Sequence, residues 1–196
     1  MLNTEILSAA FVNFERQKLD DIAEARKLKL PEPLKAKFLT SKLSEVEVKR
    51  VMEALPKFTP REIKSKSVGF LYVFAQRQGC SIKTADILDA IQRAKSGGED
   101  KETAIKNLCA INSDASEGRV LYVGRSWDPR GRVAGHLRAS NSKTYAIHFA
   151  AWAQNLDLHV DLFVYAFPGI QDRVLQILED VIWDKLVPLL GRRGEK

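Results

Sequence analysis

Over residues 5–30, Ile6, Ala9, Ala10, Phe14, Leu19, Ile22 and Ala23 recur at helical spacings with charges between them. The pattern predicts a helix that Pro31 and Pro33 end. A second helix is expected from about Ser44 to Leu55: Ser44 and Glu47 have the spacing of a capping box, and Val48, Val51, Met52 and Leu55 form an apolar stripe. Residues 1–66 thus read as an N-terminal helical region. The pattern then changes. Val68 to Ala75 (VGFLYVFA) is a dense β-branched and aromatic run, expected as a buried strand. Residues 83–111 return to helical patterning, interrupted at Gly97 and Gly98, and Asn112 to Gly118 reads as a polar loop. Val120 to Val123 predicts a second strand. Asp128-Pro129 is a helix-start signal, with an N-cap candidate followed by a proline whose missing N–H costs nothing there. That helix should run to about Ala139, and another is expected over Thr144 to Asn155. Leu158 to Phe167 alternates as a third strand, and Ile170 to Val187 is an amphipathic final helix. The expected fold class is α+β: a small three-stranded antiparallel sheet flanked by helices, preceded by the helical region 1–66. The division is then 1–66 and 67–196, the second part carrying a helical insertion at about 80–115.

Composition narrows the classes. A chain of 196 residues, 45% hydrophobic and 29% charged, is of ordinary globular make-up and excludes collagen or wholesale disorder. No apolar run approaches the roughly 20 residues of a membrane helix, and Glu5 interrupts the first apolar stretch, so neither a membrane partner nor a secretory signal is expected. A cytoplasmic protein is the resulting expectation. The two cysteines, Cys80 and Cys109, are too few for a disulfide scaffold or a four-cysteine zinc site. The formal net charge is +6, and it is concentrated. Between residues 119 and 143 stand Arg119, Arg125, Arg130, Arg132, Arg138 and Lys143 against the single acid Asp128. Such a segment either forms a solvated basic face or attracts a polyanion through counterion release.

Within that segment, Arg132 and His136 fall at i and i+4 of the expected helix and so share a face. A guanidinium beside an imidazole suits a phosphodiester. The first makes permanent, bidentate contacts to non-bridging oxygens, and the second donates a hydrogen bond or moves a proton near neutral pH. On the last helix, Glu179 is flanked by Leu175, Ile182, Trp183 and Leu186 at helical spacings, which sets its carboxylate on an apolar stripe. A carboxylate there needs a partner: a proton, a metal ion or an arginine. Tyr72 and Tyr122 sit on neighbouring expected strands, either packing in the core or facing a site.

The segment Leu121 to His136 (LYVGRSWDPRGRVAGH) resembles the second signature of the GIY-YIG nuclease family. Tyr122-Val123-Gly124 supplies the tripeptide, Arg132 follows ten positions after Tyr122, and His136 four after Arg132. The run Gly69 to Tyr72 (GFLY) resembles a degenerate first signature, with Gly69 three positions before Tyr72 rather than two. Glu179, with Pro188 nine residues later, matches the family's metal-binding Glu and following Pro. The family's usual Asn after that proline is replaced by Gly191. The resemblance covers roughly residues 67–196 and implies a metal-dependent endonuclease acting on DNA, duplex or branched, with RNA also open. Catalytic roles would fall to Tyr72, Tyr122, Arg132, His136 and Glu179, and Glu179 would hold Mg²⁺ or Mn²⁺. Arg125, Arg130, Arg138, Lys143 and Arg192 are the expected substrate-binding cations. The alternative is a catalytically weak or inactive DNA- or RNA-binding module on the same scaffold.

Overall fold

Four strands lie side by side in one antiparallel sheet, and one of its two central strands comes from near the end of the chain. A computed structural model describes residues 4–97, 104–115, 118–139 and 144–194. In chain order the elements are α1 (Thr4–Lys27), β1 (Leu34–Leu39), α2 (Glu45–Glu53), α3 (Pro60–Ser65) and β2 (Val68–Gln76), then α4 (Thr84–Ser96), β3 (Val120–Ser126), α5 (Pro129–Leu137), α6 (Phe149–Trp152), β4 (His159–Pro168) and α7 (Asp172–Leu186). The strand order is β1-β4-β2-β3. β4 pairs with β1 from Leu34↔Val164 to Leu39↔His159 and with β2 from Val68↔Pro168 to Gln76↔Val160.

The α+β class therefore holds, but the sheet has four strands, not three, and the extra one lies inside the N-terminal region read as wholly helical. β1 (LKAKFL) has two lysines in six residues, and only Ala36 and Phe38 are buried. An edge strand with one wet face carries too short an alternation to stand out between two prolines and a helix. Phe38 shows why it belongs to the sheet. Its ring meets Phe74 of β2 edge-on at 6.3 Å and Phe149 of α6 at 5.4 Å.

The sheet separates two apolar layers. Phe70, Tyr72 and Phe74 of β2, with Val160, Leu162 and Val164 of β4, face α2, α4, α5 and α6. Leu71, Val73, Val123 and Phe167 face α7 and the end of α1. Period-two alternation along β2 thus sends successive aromatic and aliphatic residues to opposite cores. Caps fix the helix starts: Ser44 Oγ accepts from Glu47 N at 3.3 Å, and Asp128 Oδ1 accepts from Gly131 N at 2.9 Å ahead of Pro129. After α7, Leu189 N and Leu190 N donate to Val120 O and Leu121 O of β3, each at 2.9 Å. The C-terminal segment thereby covers the outer edge of β3, which would otherwise expose unpaired backbone groups.

The first helix is present as expected, and two further helical expectations differ from the structure. α1 is a helix, but Ile6, Phe14 and Leu19 are exposed. It packs on α7 only through its last turns, where Asp21 and Ala25 are buried and Arg173 Nε meets Asp21 Oδ2 at 3.1 Å. The stretch expected as helix over 83–111 is helical only through α4, which Gly97 ends at φ 79°. Beyond it, residues 104–111 are not helical: they turn at Lys106 and Asn107, and Leu108 is then bridged to Ala146. The helix expected over 144–155 shrinks to the four residues of α6, because Ala146 N and Ala146 O bond Asn107 O and Cys109 N instead.

Replacing Phe38 by alanine should cost about 3–5 kcal/mol of stability, as a large-to-small change in a packed aromatic cluster does. The shift of the urea unfolding midpoint measures it. A loss below about 1 kcal/mol would mean that β1 contributes little to the sheet.

Candidate active site

The site is built on a close approach that only glycine permits. Tyr72 of β2 stands opposite Gly124 of β3, two residues after Tyr122. The two tyrosine rings stack at 6.1 Å with 14° between their planes. A Cβ on Gly124 would lie 2.5 Å from Tyr72 Oη and 2.7 Å from Tyr122 Cε1. The glycine of the Tyr-Val-Gly tripeptide is thus the floor on which both phenols rest.

α5 brings two further groups to the same place, one helical turn apart. Arg132 Nε donates to Tyr72 Oη at 3.2 Å, and Arg132 Nη2 donates to Tyr122 Oη at 3.3 Å. His136 is fully buried, its ring centroid 4.6 Å from that of Tyr122. His136 Nδ1 accepts from the backbone N–H of Ile147 at 3.1 Å, so the ring proton of the neutral imidazole belongs on Nε2. Nε2 then donates to Tyr72 Oη at 3.2 Å. Tyr72 Oη therefore receives one hydrogen bond from a cation and one from a neutral donor.

Electrostatics sort the two phenols. Burial pushes the Tyr72 hydroxyl well above the usual tyrosine range, and the neighbouring Tyr122 adds to the shift while Arg132 opposes it. Tyr122 is raised as well, again chiefly by burial and against Arg132. Glu179 adds negative charge near both and raises each further. Tyr72 has no exposed surface, whereas Tyr122 is partly open and forms part of the wall of a cavity of about 550 Å³. Arg132, Lys95, Tyr145, Arg192 and Gly194 share that wall.

Glu179 arrives from α7, on the opposite side of the sheet. Its side chain is 14% exposed, and Oε2 pairs with Arg125 Nε at 3.2 Å. Burial raises its carboxyl above the usual range, while Arg125 pulls the other way. Of the alternatives open for this carboxylate, an arginine partner is present. Gly194 links the carboxylate to the cavity, since a Cβ there would come within 3.1 Å of Glu179 Oε2. Gly191 has φ +105°, and a Cβ on it would meet Tyr122 Cε2 at 3.0 Å.

Four of the five expected catalytic side chains thus meet in one cluster, with Glu179 acting on the tyrosines electrostatically from behind Arg125. The expected substrate-binding cations fare differently. Arg125 also reaches Asp172 at 2.6 Å and Gln176 at 2.9 Å. Arg130 donates from both Nε and Nη2 to Leu55 O, at 2.9 and 2.6 Å. Arg138 forms a forked pair with Glu45. These three are tied to the protein itself, and Lys143 lies outside the described residues. Arg192 is exposed on the cavity wall. Lys95 and Tyr145 also belong to that wall, and no periodicity in the sequence marked them, because both are brought there by extended segments and a helix end.

Arg132 differs from Arg125, Arg130 and Arg138 in that its partners are two phenols rather than an acid or a backbone carbonyl. Among the described residues no carboxylate pairs with it, although it is largely buried. A guanidinium carries five N–H donors, and the two phenols take one each.

Comparison with models of protein families, with curated proteins and with solved structures gives no match to this chain. The site must be read from its own chemistry.

Burial holds His136 well below the usual histidine range, and Arg132 and His148 reinforce this. His148 is itself fully buried and lowered. The unfolded chain takes up protons at both positions below about pH 6.5, while the folded chain does so only at lower pH. The unfolded state then binds more protons, so stability is full above that value and falls as the pH drops through it. The urea midpoint should decline from about pH 7 to about pH 5, and the slope should be shallower in His136→Gln. An unchanged slope in the variant would show that His136 is charged in the fold.

Proposed function

We propose that this protein is a metal-dependent endonuclease that hydrolyses DNA phosphodiester bonds. The carrying observation is Arg132: a largely buried cation with no carboxylate partner among the described residues, on the wall of a cavity. A buried charge needs compensation, and a phosphate entering the cavity supplies it in a form that matches the guanidinium fork. The resemblance of Tyr122-Val123-Gly124, Arg132, His136 and Glu179 to the GIY-YIG signatures agrees with this reading.

In this reading Arg132 binds the non-bridging oxygens of the scissile phosphate and stabilises the extra charge of the pentacoordinate transition state. Its hydrogen bonds to both phenols keep the guanidinium in place. Tyr122, on the cavity wall, is the tyrosine in reach of an attacking water. Tyr72, fully buried, positions Arg132 rather than touching the water. His136, fixed as an Nε2–H donor, orients Tyr72.

The metal fit rests on the donor set. Among the described residues there is no cluster of three or more acidic, histidine or cysteine ligands. Glu179 is a single hard oxygen donor, which suits Mg²⁺ or Mn²⁺ retaining several waters. Its carboxylate is destabilised by burial and now compensated by Arg125, so a dication would take over that compensation. When bound, the ion supplies Lewis-acid polarisation of the phosphate and stabilises the leaving oxygen. The same ion pair, together with Gly191 in place of Asn, favours a second reading: a nucleic-acid-binding module that does not cut.

A cleavage assay on plasmid, branched and single-stranded DNA, with and without Mg²⁺ or Mn²⁺, separates the two. Arg132→Ala should lower the cleavage rate by at least about 100-fold, and Glu179→Ala should abolish the metal-dependent product, both with the unfolding midpoint retained. Cleavage by both variants at the parent rate would overturn the assignment. Salt-sensitive DNA binding without any metal-dependent product would favour the module.

A further inference from the structure

The cavity that carries Arg132 and Tyr122 also exposes an aromatic ring that the chemistry above does not use. Tyr145 is 67% exposed and stands on the wall of the same cavity of about 550 Å³. It is not on a loose loop tip. The next residue, Ala146, bonds Asn107 O at 3.0 Å through its N–H and Cys109 N at 2.9 Å through its carbonyl. The ring is therefore presented from a backbone laddered to the Leu108–Ala110 segment, whose apolar side chains line the cavity as well. Lys95 and Arg192 complete the wall, and among the described residues neither makes an ion pair.

A flat exposed ring between apolar surface and unpaired cations is the composition of a nucleotide-stacking platform. Base-on-aromatic stacking is tolerant of sequence, and flanking cations take the backbone. A volume of this order belongs to the range of small-ligand sites, and it admits one splayed nucleotide rather than a duplex. To set a phosphate against the largely buried Arg132, the strand must leave its stack, as nucleotides do when enzymes act on them in a recess.

We propose that the cavity holds an unpaired nucleotide beside the scissile phosphate, its base stacked on Tyr145 and its backbone held by Lys95 and Arg192, so that the substrate is DNA with a single-stranded branch or flap. This rests on the nuclease reading of the same site.

The test is fluorescence anisotropy with the full chain in EDTA, at one fixed salt concentration. The probes are a labelled flap duplex and a fully paired duplex of equal length. The parent should prefer the flap by about tenfold, the size of one stacked base. Tyr145→Ala should bring the two affinities together, and Tyr145→Phe should keep the preference. Equal affinity of the parent for both probes, or a flap preference unaltered in Tyr145→Ala, overturns this proposal. If cleavage in Mg²⁺ still depends on Arg132 in that case, the nuclease reading survives it. Failure of both probes to bind overturns both readings.

Discussion

The site depends on one guanidinium shared by two phenols. Arg132 reaches Tyr72 and Tyr122 only because their rings lie nearly parallel, and they do so only because the residue between them has no side chain. Strand pairing, helix capping and ring packing are all bound into this contact. The Tyr72↔Gly124 register sets the two tyrosines on one face, and Asp128 with Pro129 starts α5 so that Arg132 and His136 point back at them. A one-residue slip of β3 would turn Tyr122 to the other face of the sheet and break the contact.

The parts of this arrangement that are local were legible in the sequence. The run at residues 68–75, the Asp-Pro start of α5 and the amphipathic C-terminal helix each carry their own periodicity or cap. Elements whose form depends on distant partners were not. β1 shows a two-residue buried pattern that acquires meaning only beside β4. The short stretch around Ala146 has helical spacing, but it pairs with Asn107 and Cys109 because the backbone there finds partners in the non-helical segment after α4.

Charge was legible in amount and not in use. The basic segment reads as a continuous cationic face, yet Arg125, Arg130 and Arg138 each turn to an acid or a carbonyl of the protein. A guanidinium satisfied in this way fixes the fold and offers little to a polyanion. What distinguishes Arg132 is not its position in the run but its partners: among the described residues its guanidinium meets two phenols and neither a carboxylate nor a carbonyl, and sequence spacing carries no sign of that. The same holds for Glu179. Its apolar helical neighbours announced a carboxylate in need of a partner, but the choice of Arg125 is made by tertiary approach of β3 to α7.

The sheet order has a consequence for biosynthesis. One of the two central strands, β4, is the last of the four to be made, and both β1 and β2 hydrogen-bond to it. β2 can pair with β3 as soon as that strand is made, whereas β1 waits for a segment more than a hundred residues downstream. Contacts this remote in order make for slow, late closure. Phe38 of β1 and the edge of β2 that β4 will cover stay open to chaperones, and to neighbouring chains on crowded polysomes, until synthesis is nearly finished.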